Sequence, residues 1–286
     1  MQGTVKKIAR AGTAGDAAAF ITIWKTDNPG STASNQIAVP GTGSYTVQWD
    51  CLTDPCSGGM LTARGNMVIT FPLPGIYRLR MKAQRSTAYF GFDFNYPLLK
   101  AGDQQKLTGV EQWGINRWRV LNFSGCINLD ITAADLPDFS ALTSARNMFF
   151  DCSSLLGNSS FQHWDMSRVC DLSFMFFEAS SFDQPLGRWN LRSVQPSKTG
   201  GLQYMLHNTG LSRRHYEATL AAWAVNAGTP DDMVLGALNL KYADAFGRNL
   251  LTRKGWLING DIYVPAGHVD VNRIRYEALG YDGSGR

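Results

Sequence analysis

Six aspartates, Asp135, Asp138, Asp151, Asp165, Asp171 and Asp183, are the residues most able to do chemistry in this sequence. A pair of carboxylates on either side of a sugar bond is what glycoside hydrolysis requires. These six recur along a repeated stretch, and recurrence favours turn and cap roles over an acid/base pair. The four histidines, His163, His207, His215 and His268, stand singly, without H-E-x-x-H or another ligand spacing. His215-Tyr216-Glu217 opens a helical stretch and reads as a solvated face. No G-x-S-x-G elbow, phosphate loop or G-x-G-x-x-G run is present. The five cysteines, Cys51, Cys56, Cys126, Cys152 and Cys170, are odd in number and irregular in spacing. That is neither a disulfide framework nor a zinc set. Cys51 and Cys56 could close a small ring on oxidation, while Cys126 and Cys152 read as buried thiols. The expectation is a chain without catalytic residues, bound metal or cofactor.

The elements that would position any site are of three kinds. Large residues alternate over Phe20–Trp24, Tyr45–Trp49, Val68–Phe71 and Tyr77–Met81, between Gly/Pro/Asn turns, which predicts short strands and a small β-sandwich. Next comes a repeat. Asp138…Met148-Phe149 and Asp165…Met175-Phe176 share one spacing, and the two methionines stand 27 residues apart. A third unit, Asn190…Met205, fits with an insertion around Pro196–Gly200. Each unit continues into a second shared piece, Phe150-Asp-Cys-Ser-Ser-Leu155 and Phe177-Glu-Ala-Ser-Ser-Phe182, decayed in His207–Leu211. Met148, Phe149, Trp164, Val169, Met175, Phe176, Phe182, Trp189, Val194 and Met205 are therefore the expected repeat core. Lastly, Tyr216–Val225 predicts a helix with Tyr216, Leu220 and Trp223 on one face, followed by a helix over Asp244–Thr252 and a closing strand at Gly255–Ile258.

Composition narrows the partners. The chain has 286 residues, 44% hydrophobic and 17% charged, with a net charge of +4. Scattered basic residues and so small a net charge argue against nucleic acid. Apolar runs such as Leu220–Val225 stop after six residues, far short of the roughly 20 a spanning helix needs. The first twenty residues lack the apolar core of a secretory signal, so export by that route is not expected. Asn122-Phe-Ser124 and Asn158-Ser-Ser160 match the glycosylation sequon and are read as inert.

The motif Trp164-Asp165-Met166-Ser167-Arg168-Val169, then Met175-Phe176 and Phe177-Glu-Ala-Ser-Ser-Phe182-Asp-Gln-Pro-Leu186, resembles the BspA-type leucine-rich repeat, a surface-protein repeat of mycoplasmas and gut bacteria. Phe20–Gly30 and Glu111–Gly114 resemble that family's flanking pieces, and Pro74–Leu79 resembles a late strand of PKD-like sandwiches. The resemblance implies an α+β, β-rich fold class. An N-terminal arm (1–19) and an Ig/PKD-like sandwich (20–105) would precede a short leucine-rich-repeat-like solenoid (106–211), a helical cap (212–261) and a C-terminal arm (262–286). It also implies binding rather than catalysis. Without an export signal, the expected role is a structural and binding protein on a tailed-bacteriophage virion, as capsid decoration or as a tail or baseplate component. Its expected partners are other virion proteins, further copies of itself and a host-surface glycan or protein. A bacterial cell-surface or secreted adhesin is the alternative, and a polysaccharide depolymerase a distant third.

Overall fold

The computed structural model describes residues 17–53, 58–84, 90–94, 102–196 and 201–265. Cys56, His268, most of both expected arms and the core of the insertion at 197–200 lie outside the described residues. The first eight strands are β1 (Phe20–Lys25), β2 (Gln36–Val39), β3 (Gly41–Thr42), β4 (Ser44–Cys51), β5 (Gly58–Arg64), β6 (Met67–Thr70), β7 (Ile76–Ala83) and β8 (Gly91–Asp93). Then come β9 (Leu107–Gln112), β10 (Leu121–Asn122) and β11 (Asp130–Ile131). The C-terminal part holds α1 (Arg213–Val225), β12 (Val234–Gly236), β13 (Lys241–Tyr242), α2 (Phe246–Arg253), β14 (Leu257–Asn259) and β15 (Ile262–Tyr263).

The strands follow the alternation in the sequence. Tyr45, Val47 and Trp49 of β4 point into the core, as do Tyr77, Leu79 and Met81 of β7. The antiparallel register sets Val47 opposite Met81 and Trp49 opposite Leu79, so both apolar sets share one face. Aromatic rings fill the space above that face: Phe71 stacks on Tyr77 at 3.9 Å, and Phe20 meets Phe92, Trp113 and Trp118 within 6 Å.

The expected fold class is corrected at this point. The chain is β-rich, but it is not an Ig/PKD-like sandwich followed by a leucine-rich-repeat solenoid with a helical cap. Its described residues form five sheets: one of order β11-β9-β1-β7-β4-β5, one of order β10-β8-β3, and the pairs β2-β6, β12-β14 and β13-β15. Two α-helices accompany them. One reason is that strand pairing crosses residue 105, since β9 and β11 extend the large sheet while β10 joins a small one. Pro40 separates β2 from β3, so the cover of the large sheet is split into two short sheets.

The other reason lies in the backbone of the repeats. A leucine-rich-repeat coil carries a parallel strand in every unit. Here Asn147, Asp151, Phe174, Glu178, Tyr204 and Asn208 all have left-handed φ, between 55° and 60°. Each unit therefore turns twice within five residues and cannot run extended. The units are joined by hydrogen-bonded rungs between turns, and among the described residues no strand lies between β11 and β12.

α1 begins at Ser212, whose Oγ accepts from the His215 N–H at 3.3 Å, as an N-cap does. Its face of Tyr216, Thr219, Leu220 and Trp223 is buried, and the Trp223 indole donates to the Leu186 carbonyl at 3.1 Å. The helix thus lies along the last repeat units. Ile262 and Val264, at the start of the expected C-terminal arm, donate to Leu240 and Tyr242 of the same chain.

Candidate functional site

The ten residues of the expected repeat core are all buried. Their unit-to-unit spacing appears directly in the rungs. Phe123 N–H donates to Met148 O at 2.7 Å, Phe149 to Met175 at 2.8 Å, Phe176 to Met205 at 3.0 Å, and Leu206 to Gly236 at 2.9 Å. Inside, Phe123, Phe149 and Phe176 stack in line with ring centroids 5.6 Å apart at each step and nearly parallel planes. Trp189 donates its indole N–H to the Phe161 carbonyl at 2.7 Å. Trp164 is buried among Phe139, Phe149 and Phe161.

The same turns carry a second ladder on the outside. Phe150 stacks on Phe177 at 4.9 Å with planes 4° apart, and Phe177 stacks on His207 at 6.0 Å. In a neighbouring register, Phe174 stacks on Tyr204 at 4.7 Å, and the Arg146 guanidinium sits 5.0 Å from the Phe174 centroid. Because the rings face one another, they offer their edges outward, where an aromatic quadrupole is positive. Phe150, Phe174, Phe177 and His207 are half-buried, and Tyr204 is 44% exposed.

Beside the rings runs a polar ladder at the left-handed positions. Asn208 Nδ2 donates to Glu178 Oε1 at 2.6 Å, and Asn239 Nδ2 donates to Asn208 Oδ1 at 2.6 Å. Asp151 occupies the equivalent place one unit earlier. Burial, reinforced by the neighbouring Glu178 carboxylate, holds its carboxyl above the ordinary aspartate value. Burial likewise lowers the His207 imidazole below its ordinary value, and its Nδ1 lies 3.4 Å from the Leu238 N–H. Taken together, the face is a strip of ring edges bordered by carboxylates and amides. It suits contact with another molecule.

The other chemistry-bearing residues are spent on local structure. Asp138 and Asp165 accept the N–H groups two residues on, of Ser140 and Ser167, at 2.9 and 3.0 Å. Asp171 does the same for Ser173, and Asp135 accepts from the Trp113 and Gly114 N–H groups. Asp183 accepts from Ser212 N and lies 2.7 Å from His215 Nδ1. Burial opposes ionisation of Asp183, but these bonds outweigh it and hold the carboxyl below its ordinary value. The six aspartates are thus distributed over separate turns, with Asp151 alone on the outer ladder.

Cys126 and Cys152 are buried thiols in adjacent units, and burial raises both far above the ordinary cysteine value. Cys51 is buried and Cys170 half-exposed. Both sequon asparagines have engaged side chains: Asn122 accepts from Ser124 N, and Asn158 donates to the Ile131 and Ala133 carbonyls. Among the described residues no group of three or more His, Cys, Asp or Glu is placed to hold a metal ion. No described helix is long and apolar enough to cross a membrane.

The outer ladder was only half visible beforehand. Phe150, Phe177 and His207 stand in the shared pieces noted in the sequence, whereas the left-handed turns at Asn147, Phe174 and Tyr204 were not foreseen. The available signal was their equivalent spacing immediately before each Met.

Comparison with known proteins places the likeness in this same stretch. Residues 120–233 match the family described as Mycoplasma protein of unknown function, DUF285. No curated protein and no solved structure matches the chain. The match spans the stacked turns, α1 and the approach to β12, and stops short of the strands before residue 120. It supports the coarse reading of a surface-type repeat family.

Proposed function

We propose that this chain is a non-enzymatic structural and binding protein of an exposed surface, which engages a host-surface glycan or protein through the outer ladder of its stacked turns. The observation that carries this reading is the ladder itself, a row of ring edges from three successive units with hydrogen-bonding side chains alongside. The rings of the ladder reach the surface, Tyr204 most of all, and grouped apolar side chains at a surface mark contact surfaces. The finer kinship, BspA-type for the repeats and PKD-like for Pro74–Leu79 at the level of sequence, belongs to this proposal. So does the setting, a tailed-bacteriophage virion in preference to a bacterial cell surface.

Two experiments test it. Peptide mass spectrometry of purified phage particles, alongside envelope fractions of the same culture, should find the chain in the particles. Binding of the purified chain to bacterial envelope fractions, before and after periodate or protease treatment, should fall with one treatment. Undiminished binding after both, or no binding at all, contradicts the contact role. Turnover of an envelope polysaccharide contradicts the non-enzymatic reading.

A further inference from the structure

Among the described residues the large sheet ends at β5, far from the repeat ladder in sequence, with no further strand beside it. Among the described residues β5 pairs only with β4, and β6 only with β2. The Gly65 N–H donates to Gly43 O at 2.8 Å, which continues the β5–β4 ladder and fixes its alternation. Met60, Thr62 and Arg64 consequently turn their backbone N–H and C=O away from β4. On β6 the Phe71 N–H donates to Asn35 O at 2.8 Å, so Val68 and Thr70 turn theirs away from β2. Of these two rows, Thr62, Arg64, Val68 and Thr70 line one groove of about 930 Å³.

Edge strands in natural proteins are usually short, charged, broken by proline or covered. β5 runs seven residues, Gly58–Arg64, without proline and with a single charge. The lining of the groove is made of hydroxyls, amides, Met67 and Val68, the last 52% exposed. Arg64 is the one charged residue in that lining, and it has no ion-pair partner among the described residues. A groove bordered by two strand edges and one cation, all unpaired among the described residues, is complementary to an extended chain that carries a carboxylate.

We propose that this edge is a docking site for an extended acidic segment of a partner protein, which adds as a strand beside β5 and sets a carboxylate against Arg64. Seven residues at about 3.3 Å each give an edge of about 23 Å, enough for a partner strand of similar length. Main-chain bonds to Met60, Thr62 and Arg64 supply affinity, and side chains at alternate positions meet Met67 and Val68. The site shares no residue with the repeat ladder, so the two proposals fail separately.

The test uses the full chain and a defined probe, a seven-residue peptide of alternating Thr and Val with a central Asp. NMR should show the Thr62 and Arg64 amides shifting on titration and exchanging about tenfold more slowly when the peptide is bound. The same peptide with a central Lys should bind about tenfold more weakly. Thr62→Pro removes only an outward N–H, so it should abolish binding while the melting temperature holds. Arg64→Gln should erase the preference for Asp over Lys and serves as the deciding variant should Thr62→Pro melt early. The proposal is overturned by equal behaviour of the two peptides, including no binding of either. Binding that survives Thr62→Pro overturns it too, as do β5 amides already protected before peptide is added, whether by a second copy or by this chain's own residues.

Discussion

The large sheet and the stacked turns bury aromatic cores of the same kind by opposite backbone means. In β4 and β7 the chain is extended, alternation of side chains does the sorting, and each rung is one step of an antiparallel ladder. In the repeats the chain doubles back twice per unit through left-handed residues that are not glycine, and a short set of rungs, as from Ala145, Asn147, Phe149 and Asp151 to Asp171, Ser173, Met175 and Phe177, joins each unit to the next. The first arrangement tolerates many side chains at its surface positions. The second sets strict demands at each turn, yet it repeats outward-facing positions in register, which is how a ladder of ring edges comes to exist.

The largest expected effect is in the turns. Met175→Asp places a charge at a fully buried position of the core and should cost several kcal/mol, enough to unfold the repeat region. Thermal melting and hydrogen exchange of the Phe149 and Phe176 amides would register it. Melting like that of the wild type would remove the basis for the unit-to-unit register described here.

A paired substitution sharpens the contrast. Asn147→Val forces a β-branched residue into φ 58° and should destabilise by about 1–2 kcal/mol. Thr46→Val, in the extended β4, should change stability by about 0.5 kcal/mol or less. Equal effects in denaturant melts would mean that the left-handed turns are not a constraint.

A smaller effect depends on pH. The Asp151 carboxyl is held above its ordinary value, so folding favours its protonated form. Any stability this supplies is complete below the ordinary aspartate range and disappears as pH rises through the folded value. Asp151→Asn should therefore raise the melting temperature slightly at pH 7 and leave it unchanged near pH 3. Asp183 has the opposite sign, being held low, so removing it should cost stability at pH 7 and little in acid. Smallest of all is a kinetic difference: Cys170 should alkylate in the native state well before Cys126 and Cys152, as timed mass spectrometry would show.

Much of this molecule was legible in the residue pattern. The strands around Tyr45–Trp49 and Tyr77–Met81 and the helix at Tyr216–Val225 lie where alternation and helical spacing put them. Met148 and Met175, expected in the core from their 27-residue spacing, are both fully buried. Sheet order was not legible, because β9, β10 and β11 are two to six residues long and choose partners by tertiary packing rather than by pattern. Nor was the backbone of the turns. Phe174 and Tyr204 carry no mark in the sequence that sets them at left-handed turns or at the surface. Recurrence alone pointed the aspartates to turn and cap roles, and Asp138, Asp165 and Asp171 each accept the N–H two residues on.

The central claim is that the outer ring ladder makes the contact. The most direct measurement compares envelope binding of the wild-type chain with that of the double variant Phe177→Ser/Tyr204→Ser, with melting curves recorded on the same samples. The account predicts a fall in binding of about tenfold or more, with the Phe149 and Phe176 amides still protected from exchange. Unchanged binding by a folded double variant would contradict it.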